Sequence, residues 1–190
     1  VGAITGIVEK SRIITGDQIK TGDVLISLPS VGLHTNGFSL ARKIVFEKMK
    51  MKVDAKVEEL GTTIGEALLV PHRCYGPLVW DLMEKLTLKG MAHITGGGIT
   101  ENLPRIFPEG IGAEVEIASI KVLPIFNCLQ KWGNVEKMEM FRVFNMGDGM
   151  IVVIYEEEHE KCLKLCRKTY PESTVIGHIV PDQEKKVRYV

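Results

Sequence analysis

Two glycine-framed turns carry the side chains of this sequence best suited to chemistry. The first, Ser30-Val31-Gly32-Leu33-His34-Thr35-Asn36-Gly37-Phe38-Ser39, gathers an imidazole, hydroxyls and a carboxamide around Gly32 and Gly37. His34 can move a proton near neutral pH, and the free backbone N–H groups of a following helix suit an anion such as phosphate. The second, Thr95-Gly96-Gly97-Gly98, lets the backbone approach a bound group closely, again ahead of a helix start. The triple glycine is neither a Walker A loop, which needs a Lys followed by Ser or Thr, nor a GxGxxG fingerprint. Each turn also has a plainer reading. Thr35 or Asn36 caps a helix with His34 merely exposed, and three glycines make a tight turn where strand meets helix.

The elements that position these turns follow from hydrophobic spacing. Asp23 to Leu28 is a short apolar run between Gly22 and Pro29 and reads as a buried strand, and Phe38, Ala41, Ile44, Val45 and Met49 recur at helical intervals. Val1 to Glu9 alternates like a strand, Lys10 to Gly22 is a polar connector, and Lys52 to Gly61 is a charged surface excursion. Thr63 and Glu66 have capping-box spacing at the start of a helix that Pro71 interrupts. Helices are expected from Tyr75 to Leu86, Ile99 to Ile106, Pro124 to Trp132, Val135 to Val143 and Glu156 to Lys168, the last with Cys162, Leu163 and Cys166 inward. Strands are expected over Gly90 to Thr95, Gly112 to Ile117, Ile151 to Tyr155, Thr174 to Val180 and Val187 to Val190. Strands and helices mixed without strict alternation predict a layered α/β (α+β) fold, a mixed sheet with flanking helices.

Composition narrows the function classes. The 190 residues carry 24 Lys+Arg against 24 Asp+Glu, so there is no basic face on which to expect nucleic acid. No apolar run reaches the roughly 18 residues needed to span a bilayer. The start, Val-Gly-Ala-Ile-Thr-Gly, does not read as a secretory signal. The four cysteines include no CxxC pair and read as reduced thiols of a cytoplasmic protein. His72, after Pro71, and His159, on a charged helix face, read as solvated. His178 packs in a late strand and His93 supports the glycine turn. Their spacing has no zinc pattern, so no metal ligands are assigned.

Three stretches together are more specific than any one. Gly22-Asp23-Val24-Leu25-Ile26 with the turn from Ser30 to Ser39, then His93-Ile94-Thr95-Gly96-Gly97-Gly98-Ile99-Thr100-Glu101-Asn102-Leu103-Pro104-Arg105, then Glu139-Met140-Phe141-Arg142-Val143-Phe144-Asn145-Met146-Gly147, resemble aminoimidazole ribonucleotide synthetase. That family is also called phosphoribosylformylglycinamidine cyclo-ligase. The resemblance covers nearly all of this chain but only the second half of the family's protein. It implies the last strand of a largely absent N-terminal domain over residues 1–12 and a C-terminal α/β domain over 13–190.

The resemblance further implies ATP-dependent ring closure of formylglycinamidine ribonucleotide to aminoimidazole ribonucleotide in purine biosynthesis, a carbon–nitrogen ligase reaction. ATP and Mg²⁺ would be held mainly by the absent N-terminal domain, which would also build a homodimer, and this chain alone would be inactive. His34 and Asn36 would be catalytic. Thr35, Ser39, Thr95, Gly96, Gly97, Gly98, Arg142 and Asn145 would bind substrate or phosphate. Asn102 and Arg105 are weaker expectations, since either can simply fix the helix after the turn. Asp148 departs from the family, where a small or apolar residue is expected between Gly147 and Gly149, and a carboxylate beside a phosphate would repel it. Two rivals stand: a sibling ATP-using enzyme, such as formylglycinamidine ribonucleotide synthetase, selenophosphate synthetase, thiamine-phosphate kinase or a hydrogenase maturation factor, or a non-catalytic ribonucleotide-binding or docking domain.

Overall fold

A computed structural model describes residues 3–190. The apolar run after Asp23 becomes β1 (Val24–Pro29), with every residue buried. Side chains alternate across a strand, so Leu25 enters one core while Val24, Ile26 and Leu28 enter another on the opposite face. A strand covered on both faces reads as a continuous apolar run, which is how β1 appears in the sequence.

The chain continues through α1 (Phe38–Arg42), which runs on as a π-helical turn over Lys43–Lys48. A small hairpin of β2 (Lys56–Val57) and β3 (Thr62–Thr63) follows, then α2 (Ile64–Leu68), α3 (Gly76–Lys85), β4 (Gly90–His93) and α4 (Gly98–Asn102). After these come β5 (Ile111–Val115), α5 (Pro124–Gly133), α6 (Lys137–Val143), β6 (Asp148–Ile154), α7 (His159–Thr169), β7 (Thr174–Pro181) and β8 (Val187–Tyr189). The main sheet has six strands in the order β4-β6-β1-β7-β5-β8, antiparallel throughout except for the parallel β5–β8 pair. One face is covered by α1, α2, α4, α5 and α6, the other by α3 and α7. The expected layered sheet with flanking helices is therefore the observed fold.

Register places the site. β6 lies antiparallel between β1 and β4, and Met150 pairs with both Leu28 and His93. The C-terminal ends of β1 and β4 and the N-terminal end of β6 thus fall at one end of the sheet. The segments that leave or enter there are 30–37, 94–97 and 144–147, the three stretches singled out by sequence.

Asp23, just before β1, is anchored from the approach to β4. Lys89 Nζ lies 2.7 and 2.5 Å from the two Asp23 oxygens, with both side chains almost fully buried, and Lys20 N–H donates to the same carboxylate at 2.7 Å. A buried ion pair satisfied this completely holds two elements in register, because either charge left alone would be costly.

Some expectations fail. Residues 3–9 form no strand, and Ile4 and Ile7 are 99 and 100 % exposed. Alternation makes a strand only when a neighbour accepts its hydrogen bonds, and among the described residues none does. Val1 and Gly2 lie outside the described residues. The charged excursion at Lys52 to Gly61 contains the β2 strand, whose two residues are too short for a periodic signal. The capping box holds: Thr63 Oγ1 accepts from Glu66 N–H, and Glu66 Oε2 accepts from Thr63 N–H at 3.0 Å. Cys162 and Cys166 are buried free thiols, as expected, whereas His178 is exposed on β7 rather than packed.

Candidate functional site at one end of the sheet

The first two turns meet over the third. Gly37, at φ 74°, occupies the cap position of α1, and no side chain caps that helix, so the plain reading of Thr35 or Asn36 as cap fails. A side chain on Gly37 would overlap the Phe144 ring, and one on Gly98 would overlap the Phe141 carbonyl oxygen. Both turns are therefore seated on the α6–β6 connection. They also face each other: a Cβ placed on Gly96 would lie 3.8 Å from Asn36 Oδ1.

His34, in the first of these turns, is 5 % exposed and at φ 57°, a conformation that non-glycine residues adopt rarely and that clusters at functional sites. Val31 N–H donates to its Nε2 at 3.3 Å, whereas Nδ1 is buried without a hydrogen-bond partner. The His72 ring stacks on it with centroids 4.0 Å apart, and His72 Nε2 lies 3.2 Å from His93 Nε2. Burial first, then the nearby His72, His93 and Arg73, push the His34 pKa down to about 4. Burial and His72 also lower that of His93. At neutral pH His34 is thus uncharged. With its Nε2 lone pair facing Val31 N–H, it presents an N–H at Nδ1 as a donor.

Behind the imidazole, Tyr75 Oη and Arg73 each donate to the Pro29 carbonyl at 2.9 Å. Gly149 has no room for a side chain, because the Tyr75 hydroxyl fills the Cβ position and His34 Cε1 lies 2.8 Å from it. Sequence reasoning missed the part played by His72, Arg73 and Tyr75; His72 is exposed, as expected, yet its ring stacks on His34. No spacing links His72 to His34; only the fold stacks them.

The expected phosphate binders divide. Thr35 and Ser39 are exposed, and among the described residues no hydrogen bond occupies their side chains. Asn36 is half-buried beside the glycine turn. Thr95 Oγ1 instead donates to Asn102 Oδ1 at 3.0 Å, while Asn102 Nδ2 donates to the Thr95, Gly96 and Gly98 carbonyls at 3.4, 3.2 and 2.8 Å. Asn102 therefore staples the turn. Asn145 does the same for the first loop, with Oδ1 accepting from Ser30 Oγ and Gly147 N–H and Nδ2 donating to the Gly32 carbonyl, each at 2.9 Å. Arg142 lies exposed in pairs with Glu139 at 2.8 Å and Glu101 at 3.9 Å. Asp148 does not face the cleft. It is 3 % exposed, Ser27 Oγ donates to Oδ1, Oδ2 is unpartnered, and burial pushes its pKa up to about 7.

Asn102→Ala should cost about 1–3 kcal/mol, the penalty of leaving buried polar groups unpaired. Urea denaturation reads that loss, and hydrogen exchange should quicken at the amides of residues 96–99. Unchanged exchange there would remove the stapling role.

The pattern of the family described as "AIR synthase related protein, C-terminal domain" matches residues 20–190. This chain belongs to that family. The phosphoribosylformylglycinamidine cyclo-ligase of Geobacillus thermodenitrificans is 45 % identical over 179 residues, covering 94 % of this chain and 52 % of that protein. The one from Acetivibrio thermocellus is 46 % identical over 183 residues, covering 96 % and 54 %. The chain thus spans about half the length of the curated relatives it matches. In solved structures the fold recurs in thiamine-monophosphate kinase from Stenotrophomonas maltophilia, with TM-score 0.64, 14 % identity and 96 % of this chain matched to 54 % of that one. It recurs too in HypE, a hydrogenase maturation protein of E. coli, with TM-score 0.59, 17 % identity, and 92 % matched to 47 %. Those identities carry the fold alone.

Proposed function

We propose that this chain supplies the substrate-holding half of a phosphoribosylformylglycinamidine cyclo-ligase, which closes formylglycinamidine ribonucleotide to aminoimidazole ribonucleotide at the expense of ATP. The observation that carries the reading is the meeting of the His34 loop and the Gly96–Gly98 turn at one end of the sheet, with a buried and unpartnered His34 Nδ1 in the first of them. The relatives' names support the reaction class, and a HypE structure of the same fold is described as a complex with ATP.

In this reading the turn offers the backbone N–H groups of Gly96 and Gly97 to the substrate's 5′-phosphate, that of Gly98 being donated to the Thr95 carbonyl at 3.0 Å. Thr35, Asn36 and Ser39 donate to further oxygens. His34 acts as a neutral donor, through Nδ1–H, to the amide oxygen that ATP activates. Such a donor, fixed before charge develops, stabilises the transition state more than the ground state. Arg142 and Asn145 act at one remove, one at the rim and one holding the first loop.

Among the described residues this end of the sheet offers imidazoles, hydroxyls and backbone amides but no group of carboxylates, a poor donor set for Mg²⁺. ATP and Mg²⁺ are assigned to the part of the relatives that this chain does not span, as are homodimer contacts. The location assigned is the cytoplasm. Two assays test the reading. The longest native form of the chain should release ADP in a ribonucleotide-dependent manner; failure would point to a sibling enzyme with another substrate. Residues 1–190 alone should release none, and robust turnover by them would overturn the division of labour.

A further inference from the structure

His34, His72 and His93 bring three imidazole nitrogens, one from each ring, within 4.8 Å of one another. They come from the loop after β1, the segment before α3 and the last residue of β4, so neither spacing nor any single element announces them. We propose that these imidazoles form a binding site for a divalent transition-metal ion, with Zn²⁺ the best match.

The distances fit. Zn–N bonds of about 2.0–2.1 Å in a tetrahedron put two ligand nitrogens about 3.3 Å apart, and His72 Nε2 lies 3.2 Å from His93 Nε2. The third ring supplies an independent sign of a missing partner. His34 is 5 % exposed, yet its Nδ1 is buried without any hydrogen bond, and buried polar atoms left this way need an explanation. Ligation through Nδ1 moves the ring proton to Nε2 and opens the 3.3 Å contact with Val31 N–H, a long and weak bond. It also replaces the Nδ1–H donor of the proposed function, so the metal-bound and donor states of His34 are alternatives. Drawing the whole set in from 4.8 Å requires the exposed His72 ring to swing out of its 4.0 Å stack on His34, because near-parallel rings aim their in-plane lone pairs alongside one another and not at one ion.

The donor set decides the class of ion. Imidazole suits Zn²⁺, Co²⁺, Ni²⁺ and Cu²⁺, whereas Mg²⁺ and Ca²⁺ demand oxygen ligands. Three protein ligands leave a fourth position for water or an oxygen of a bound anion. Arg73 lies close enough to add unfavourable charge. Its guanidinium is engaged by the Pro29 carbonyl at 2.9 Å and by the Tyr170 ring at 4.7 Å, and an anionic fourth ligand would offset it.

The test titrates Zn²⁺ into the metal-stripped chain by calorimetry and follows Co²⁺ by its visible absorption, which reports tetrahedral coordination. One equivalent should bind, with a tetrahedral Co²⁺ spectrum that Zn²⁺ abolishes and Mg²⁺ does not. His72→Ala and His93→Ala, at exposed positions where folding is little affected, should each weaken binding at least 100-fold; even removal of an outer partner of a metal ligand costs about 10- to 100-fold. His159→Ala, on a distant helix, should bind as the parent does. Absence of saturable binding would overturn the proposal. So would full affinity in His72→Ala and His93→Ala, displacement by Mg²⁺, or an equal loss in His159→Ala.

Discussion

Replacing His34 with Ala in the longest native form of this chain is expected to lower kcat for ribonucleotide-dependent ADP release by about 10²–10³-fold, the usual loss when one fixed transition-state donor is removed. KM should change little, because an interaction made mainly in the transition state appears in kcat and in kcat/KM together. The reasoning runs from the loop. Val31 N–H fixes the ring through Nε2, the rings of His72 and Tyr75 pack beside it, and its Nδ1 has no partner in the protein. The φ of 57° adds a control. Asn tolerates that backbone conformation better than Ala does and keeps an N–H donor, so His34→Asn should recover part of the rate. Thermal melting of both variants separates loss of fold from loss of chemistry. Normal kcat in a well-folded His34→Ala protein would return His34 to the role of a loop residue.

The sequence made the scaffold of this site readable because its signals are local. A run of apolar residues between Gly22 and Pro29, helical spacing after Phe38 and a glycine triplet after a short strand are each decided within about ten positions. Long-range consequences were harder to read. Thr95 and Asn145 carry the side chains expected of phosphate binders, yet in the fold they are consumed by Asn102 and by the Ser30–Gly32 segment. Asn102, ranked low for ligand contact, fixes the glycine turn instead. A hydrogen bond across 115 residues has no signature in either of its partners. His72 shows the same limit from the other side: a proline before it reads as a helix end in water, while tertiary packing lays it on a buried imidazole. Residues 3–9 alternate like a strand yet form none here, because strand formation depends on a partner and not on pattern alone, and among the described residues none pairs with them.

Asp148 provides the second large effect, on stability against pH. A carboxylate next to the cleft would repel a phosphate, but this one is sealed beneath Ser27 Oγ with its second oxygen unpartnered, and desolvation raises its pKa from 3.8 to about 7. The folded protein therefore keeps a proton that the unfolded chain releases. Below pH 4 both states hold it and the group contributes nothing. As pH rises from about 4 to 7 the unfolded state gains the advantage, and stability falls by about 1.4 kcal/mol per unit. Above pH 7 the loss is complete, at about 4 kcal/mol. Asp148→Asn keeps the acceptor for Ser27 and removes the titration. Urea unfolding at pH 4.5, 6 and 8 should show the variant gaining on the parent at each step, independent of any constant difference in packing. Parallel curves would mean that the carboxyl ionises normally in the fold. If the slope is found, then below neutral pH Asp148 is largely a neutral acid, and an anion can occupy the Gly96–Gly98 turn there with little opposing charge from β6.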